Sequence, residues 1–455
     1  MNAPPSRKLR PEMFEGPFLV VGLARSGQAV ARLLAGRGDE VKAVDSGHPE
    51  GAAGLRGAGV EVVLDADGLA LLEGVRTVVK SPGVPREAAV IAAALERGVE
   101  VVGELELAWR AIPSRFVAVT GTNGKTTVVE WLGHVYRTAG EPVAVAGNVG
   151  TPLSSLVGTV DSEATVVCEA SSFQLEDSVA FAPECAVFLN LAPDHLDRHA
   201  DLEDYLRAKL RIFANQGNDD VAVYNADDPA LVDVDLGGCA RRVAFCHGAG
   251  PDCEVALAGD TIFYGGEPLL PVAELGLLGE HNVANAMATA AAALAMGVDR
   301  DAVGEGLRGF AGVPHRLEPV AEIDGVRFVN DSKATNVASA IVGLRAFEGG
   351  VHAILGGSEK GEDYDALLEP VRERCVACYL AGASAERLAE ALAPAIAAGV
   401  AVHRHDDFEQ AVRAAAAAAR PGEAVLLSPA CASFDAFENF ERRGERFREI
   451  VEGLR

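Results

Sequence analysis

The segment TGTNGKTT, Thr120 to Thr127, sets Gly121 and Gly124 beside Lys125, directly after the apolar run FVAV. At a strand-to-helix junction such glycines let successive backbone N–H groups, with a helix N-terminus, converge on phosphate oxygens. Lys125 would then neutralise the terminal phosphates, and Thr126 is the natural hydroxyl ligand for Mg2+. Thr122, Asn123 and Thr127 complete the loop. The generic GxxxxGK[ST] spacing is not met, because Val119 occupies the place of its first glycine. A bare structural turn is the alternative, and the Lys-Thr-Thr sequel argues against it.

Phosphoryl chemistry also needs carboxylates. Glu169 closes the apolar run ATVVCEA, where an acidic group at a strand end is able to hold magnesium. Asp194 and His195 follow the apolar run AVFLN in the same way, putting a carboxylate and an imidazole at a second strand end. Taken alone, His195 reads more readily as structural. The phosphate loop upstream favours a functional role.

Positioning these groups requires alternating strands and helices. FLVVGLARSGQAVARLLAGRG followed by VKAVD reads as strand, glycine turn, helix and strand. With VEVVL, VRTVVKSPGV and VEVVG it makes an α/β domain over residues 1–111. The pattern restarts at FVAVTGTNGKTT for a second domain over 112–312. A third open sheet, with strands at VRFVND, HAILGG, ACYLAG and AVLLSPA, occupies 313–455. The fold class is therefore α/β, with a Rossmann-like first domain, a phosphate-loop ATPase-type centre and a Rossmann-like third domain. The alanine-rich tract ending at Pro421 reads as a plain helix.

The chain has 455 residues, enough for several cores, and is 49% apolar but only 5% aromatic. A net charge of −26 opposes nonspecific attraction to nucleic acid or anionic membranes, so an anionic ligand must meet a local positive site. The N-terminal stretch does not read as a signal peptide, and no run is apolar enough for a membrane span. The expectation is a cytoplasmic protein. Eight cysteines are too few for a disulfide scaffold and are expected as buried reduced thiols. Cys375 and Cys378 form a CxxC pair set in a strand-like run without a second pair at zinc spacing.

GTNGKTT, GNVGTP, EASSFQLE, DHLDRH, LRAKLRIF, LLGEHNVANAMA, VPHRLE, NDSKATN and SPACASFDAFENFERRG together, in this order, resemble the muramyl-peptide ligases. NDSKATN and SPACASFD resemble the D-glutamate-adding branch. The resemblance implies an enzyme in which ATP phosphorylates the carboxylate of UDP-N-acetylmuramoyl-L-alanine and the amine of D-glutamate attacks the acyl phosphate. It implies catalytic roles for Lys125, His195 and Lys209, and two magnesium sites drawing on Thr126, Glu169, His195 and Lys209. Lys209 matches a lysine that such ligases carry as a carbamate. Asn282 and Asn285 would meet the adenine, and His315, Arg316 and Asp331 the rest of the nucleotide. Asn148 stands at the substrate end of the phosphate site. D-glutamate would be held by Lys333, Thr335, Lys360, Ser433, Phe434 and Phe440. The UDP portion falls to Arg25, Ser26, Ser46, Ser81 and Gly83. Gly47 stands where many family members carry an arginine. A monomer is expected, with no nucleic-acid partner and no membrane insertion. The competing readings are a ligase of the same superfamily that adds another amino acid or extends folate with glutamate, a dinucleotide-dependent oxidoreductase resting on GLARSG and Asp45, and a non-catalytic nucleotide-binding regulator.

Overall fold

A computed structural model describes residues 5–195, 198–248, 253–277, 279–359 and 363–454. They form three sheets. The first comprises β1 (Phe18–Val21), β2 (Val41–Asp45), β3 (Glu61–Leu64), β4 (Thr77–Lys80) and β5 (Glu100–Gly103), all parallel in the order 3-2-1-4-5. Helix Arg25–Gly36 buries Val30, Ala31 and Leu34, the spacing of one helical face, over this sheet.

The second sheet contains β6 (Arg115–Thr120), β7 (Val143–Gly147), β8 (Thr165–Glu169), β9 (Cys185–Phe188), β10 (Val221–Asn225), β11 (Arg241–His247), β12 (Val255–Ala258), β13 (Thr261–Tyr264) and β14 (Glu267–Pro271). Its order is 14-13-12-11-10-9-6-8-7. Strand β6 lies between β8 and β9, parallel to both, at the point where the winding reverses. Open α/β sheets bind ligands outside the strand ends at such a point. The antiparallel edge β12–β14 was not anticipated from the sequence, although Gly259-Asp260 and Gly265-Gly266 between short apolar runs are hairpin signals.

The third sheet, β15 (Glu318–Ile323), β16 (Val326–Asn330), β17 (Val351–Leu355), β18 (Cys375–Leu380), β19 (Ala401–Arg404) and β20 (Ala424–Leu427), has the order 15-16-20-17-18-19. Only its edge pair β15–β16 is antiparallel. The alanine tract is helix Phe408–Ala418, and Cys375 opens β18 with Cys378 buried inside it. One expectation for the thiols is corrected: Cys246 and Cys253 form a disulfide, because neighbouring strands β11 and β12 bring them together.

The chain separates into two compact units, Met1–Phe310 and Ala311–Arg455, so the first two sheets share one unit. Helix Glu104–Ala111 joins them and is buried from Glu104 through Trp109. Its Glu106 carboxylate accepts the backbone N–H groups of Val179, Ala180 and Phe181 at 3.0, 3.0 and 2.9 Å and pairs with Arg110 at 2.7 Å. Glu104 accepts both the backbone N–H and the hydroxyl of Ser154, and its burial raises its carboxyl pKa. The basic N-terminal stretch docks on the second sheet, Arg10 pairing with Glu184 at 3.1 Å and stacking on Trp109.

Candidate active site

The phosphate loop leaves the end of β6 and turns into helix Lys125–Thr138. Gly124 has φ of +84°, a conformation that L side chains rarely adopt, and a Cβ there would lie 2.4 Å from Asn285 Oδ1. The turn thus needs glycine both for its backbone and for the approach of helix Glu280–Ala295, whose Asn285 donates to Asn282 at 3.3 Å. Asn190, just beyond β9, fixes the loop: its Oδ1 accepts from Asn123 N at 2.8 Å and its Nδ2 donates to Asn123 O at 3.1 Å. Thr122 is tied to Ala192 in both directions. Asn190 was not singled out from the sequence; its position directly after an apolar strand was the available signal.

Lys125 donates from Nζ to Gly121 O and Thr122 O, at 3.0 and 2.9 Å. Lys209, on helix Leu202–Ala214 and almost wholly buried, donates to the same Gly121 carbonyl at 2.7 Å. Burial, and then the neighbouring Lys125 charge, push the Lys209 pKa down to about 7. Its ammonium lies 4.4 Å from the ring centre of Tyr205, one helical turn back. Beside them, Thr126 Oγ1 donates to Glu169 Oε2 at 2.7 Å, and Asn148 Nδ2 donates to Glu169 Oε1 at 3.1 Å. Thr127 follows Thr126 in the first turn of the same helix.

His195 has φ of +54°, is about half exposed, and packs its ring on Phe173 at 5.0 Å and near Tyr205 at 6.3 Å. Asp194 approaches its Nε2 at 3.6 Å. The neighbouring residues 196–197 of DHLDRH lie outside the described residues. Hydroxyl, carboxylate and a desolvated amine thus gather at the strand ends. Oxygen donors of this kind suit a hard divalent cation. Among the described residues no group of three or more His, Cys, Asp and Glu side chains is gathered as a metal site.

On the first sheet, Ser26 and Ser81 meet with their hydroxyls 3.2 Å apart, joining the GLARSG turn to the Ser81–Gly83 turn. Asp45 turns back, accepting from Leu23 N and Gly47 N at 2.6 and 2.9 Å, which leaves Ser46 exposed at the end of β2. Arg25 instead lines a hollow of about 570 Å³ with Arg32, Glu50 and Ser155, on the helix face turned toward Pro152–Val157.

The second unit holds its own set. Asp331 is buried, accepts from Ser428 Oγ at 2.8 Å and Leu317 N at 3.2 Å, and burial raises its pKa to about 6. His315 has φ of +62° and accepts from Asn330 Nδ2 at 3.0 Å, with burial lowering its pKa. Arg316 follows it in the loop. Lys333 N donates to His315 O at 2.9 Å and Thr335 N to Lys333 O at 2.8 Å, so NDSKATN folds under that loop. Ser433 is buried, Phe434 is largely exposed and Phe440 opens helix Phe440–Glu452. Lys360 lies outside the described residues. Arg443, not chosen from the sequence, is buried and donates to the carbonyls of Ser332, Cys431 and Ala432 at 3.0, 3.0 and 3.2 Å, tying NDSKATN to SPACASFD. Within the run ERRGERFRE it reads as one more surface arginine.

A three-sheet α/β chain with a phosphate loop, an adjacent hydroxyl–carboxylate pair and a desolvated lysine defines a nucleotide-dependent group-transfer enzyme. The family models agree: residues 17–103 match the Mur ligase MurD-like N-terminal domain, 119–293 the Mur ligase middle domain, and 315–431 the Mur ligase glutamate ligase domain. The chain belongs to the Mur ligase family.

Among its relatives, the UDP-N-acetylmuramoylalanine--D-glutamate ligase of Pelotomaculum thermopropionicum is 43% identical over 446 residues, covering 96% of this chain and 97% of the relative. The enzyme of the same name from Solibacter usitatus is 41% identical, covering 96% and 97%. The fold is shared with the UDP-N-acetylmuramate-alanine ligase of Thermotoga maritima, at a TM-score of 0.58 and 19% identity, covering 96% of this chain and 99% of that one. Escherichia coli FolC in complex with ADP matches at 0.53 and 21%, covering 82% and 98%.

Proposed function

We propose that the chain joins D-glutamate to UDP-N-acetylmuramoyl-L-alanine in an ATP-dependent step of peptidoglycan precursor synthesis. The observation that carries this reading is the 43% identity to a UDP-N-acetylmuramoylalanine--D-glutamate ligase along nearly the whole chain. The donor carboxylate attacks the γ-phosphorus and ADP departs. The D-glutamate amine then adds to the acyl carbon, and the tetrahedral intermediate expels phosphate. Phosphorylation is needed because an unactivated carboxylate would have to lose oxide.

The division of labour follows the three segments 1–111, 112–312 and 313–455. Ser26, Ser46, Ser81 and Gly83, with Arg25, take the UDP portion. The loop from Gly121 to Thr127 surrounds the phosphates, and Lys125 leaves the loop carbonyls to meet them. Asn282 and Asn285 hold the base, while His315, Arg316 and Asp331 serve the nucleotide from the third segment. Lys333, Thr335, Lys360, Ser433, Phe434 and Phe440 hold D-glutamate, and Asn148 orients the donor.

Magnesium, when bound, balances the charge that builds on the transferring phosphoryl group. Thr126 and Glu169 would hold one ion, His195 and Lys209 a second. A pKa near 7 leaves much of the Lys209 amine neutral, able to add to carbon dioxide and release a proton, so that a carbamate replaces the ammonium. On this reading the chain works in the cytoplasm as a monomer, without nucleic acid or membrane insertion. Among the described residues no helix is long and apolar enough to cross a membrane.

The test is phosphate release from ATP with magnesium and UDP-N-acetylmuramoyl-L-alanine, comparing D-glutamate, L-glutamate, L-alanine, meso-diaminopimelate and no amino acid. Release only with D-glutamate, with a product heavier by one glutamyl residue, is expected. Turnover with another amine would keep the family and overturn the specificity.

A further inference from the structure

The side chain of Lys80 is fully buried at the end of β4, one residue before the Ser81–Gly83 turn. Its Nζ donates to Val84 O at 2.8 Å, closing that turn from beneath. The same Nζ forms an ion pair with Asp177 Oδ2 at 2.7 Å, and Asp177 is equally buried. Asp177 belongs to the second sheet's side of the unit. It follows helix Ser172–Glu176, whose N-cap Ser171, in a capping box with Gln174, stands two residues after Glu169. The Asp177 backbone carbonyl also accepts from Gly103 N at 3.3 Å, and a Cβ on Gly103 would come within 3.1 Å of Asp177 Cβ. Two neighbouring strand ends of the first sheet, β4 and β5, therefore rest on one aspartate.

A buried ion pair is a costly way to make a joint, since both ions lose water and an apolar pair of similar volume is often at least as stable. What such a pair supplies is a fixed distance and direction. Here the fixed line runs from Ser26 through Ser81 and Lys80 to Asp177, then through the short helix to Glu169, which holds Thr126 and Asn148.

We propose that Lys80 and Asp177 are a positioning pair that sets the distance between the turn seating the donor's UDP end and the carboxylate beside which the donor's reactive end is phosphorylated. This rests on the ligase reading above, because it requires one donor molecule to span both sheets. The pair touches no substrate. A ligand confined to the first sheet feels only the Lys80–Val84 half of the joint, whereas a ligand reaching both sheets feels the whole of it.

The experiment uses the full chain, with Lys80→Met, Asp177→Leu and the double variant. Calorimetry compares UDP alone with UDP-N-acetylmuramoyl-L-alanine, and steady-state kinetics gives KM for donor, ATP and D-glutamate. The double variant refills the site with apolar side chains, so its melting temperature should return toward the wild-type value and separate positioning from folding. The expected result is a donor KM and donor Kd raised tenfold or more in the double variant, with Kd for UDP raised by a several-fold smaller factor and KM for ATP within twofold of wild type. Equal weakening of UDP and donor would reduce Lys80 to a local prop for its own turn and overturn the proposal. So would a double variant with wild-type donor affinity. If the wild-type chain binds the donor but turns over another amine, the specificity reading fails while the joint remains testable by binding.

Discussion

Gly121 offers one carbonyl to two lysines, and much of the chemistry at this site follows from that crowding. Lys209 is held with a pKa near 7 against an ordinary 10.5, so the folded, metal-free chain binds fewer protons than the unfolded chain between those values. Stability contributed through this group therefore rises with pH from about 7 to about 10.5, and below 7 the buried charge is at its most costly. Lys209→Met should abolish ligation yet stabilise the ligand-free protein at pH 6 by roughly 2–4 kcal/mol, with the gain shrinking toward pH 10. Denaturant melts at the two pH values decide this; an equal gain at both would mean that the lysine is not desolvated as described.

The loop and helix that carry these residues depend on a few backbone positions. Gly124→Ala places a side chain at positive φ and against Asn285, so ATP Kd should rise at least tenfold while UDP binding stays unchanged, as read by paired calorimetric titrations. Glu106→Ala strands the three N–H groups at Val179–Phe181 and the Arg110 charge, and should cost about 3–5 kcal/mol in urea unfolding. Much of this architecture was legible beforehand. Apolar runs such as FLVV and FVAVT marked the parallel strands, and the glycines of TGTNGKTT marked the loop, because burial and turn geometry leave local signatures. Arg443 and the Lys80–Asp177 pair were not legible, and Asn190 showed only its place after an apolar strand. Their partners lie far away in sequence, and an asparagine, an arginine and a lysine each have ordinary reasons to occur at a surface. Tyr205 was within reach, since its spacing of four from Lys209 in a helix puts the two on one face.

At the scale of the whole molecule, a net charge of −26 faces a proposed donor and nucleotide that are themselves anionic. Long-range repulsion slows encounter, and salt screens it over a Debye length of about 8 Å at physiological ionic strength. The donor kcat/KM should therefore increase by about two- to fivefold as monovalent salt rises from low concentration toward physiological ionic strength, before declining as the local cations are screened too. A monotonic fall from the lowest salt would show that the lysines and arginines at the site govern approach. The two compact units also have separate cores, and residues 311–455 should yield a cooperative melt when expressed alone.

The buried Lys209 has a consequence for inhibitor chemistry. Solvated lysines keep their nucleophilic lone pair protonated at neutral pH, whereas about half of this amine is without its proton there. Small electrophiles such as cyanate should therefore modify Lys209 ahead of the solvated lysines in the metal-free, uncarbamylated chain, as peptide mass mapping after brief exposure at pH 7 would read. Burial, rather than any recognition sequence, is what sets this lysine apart from the solvated ones.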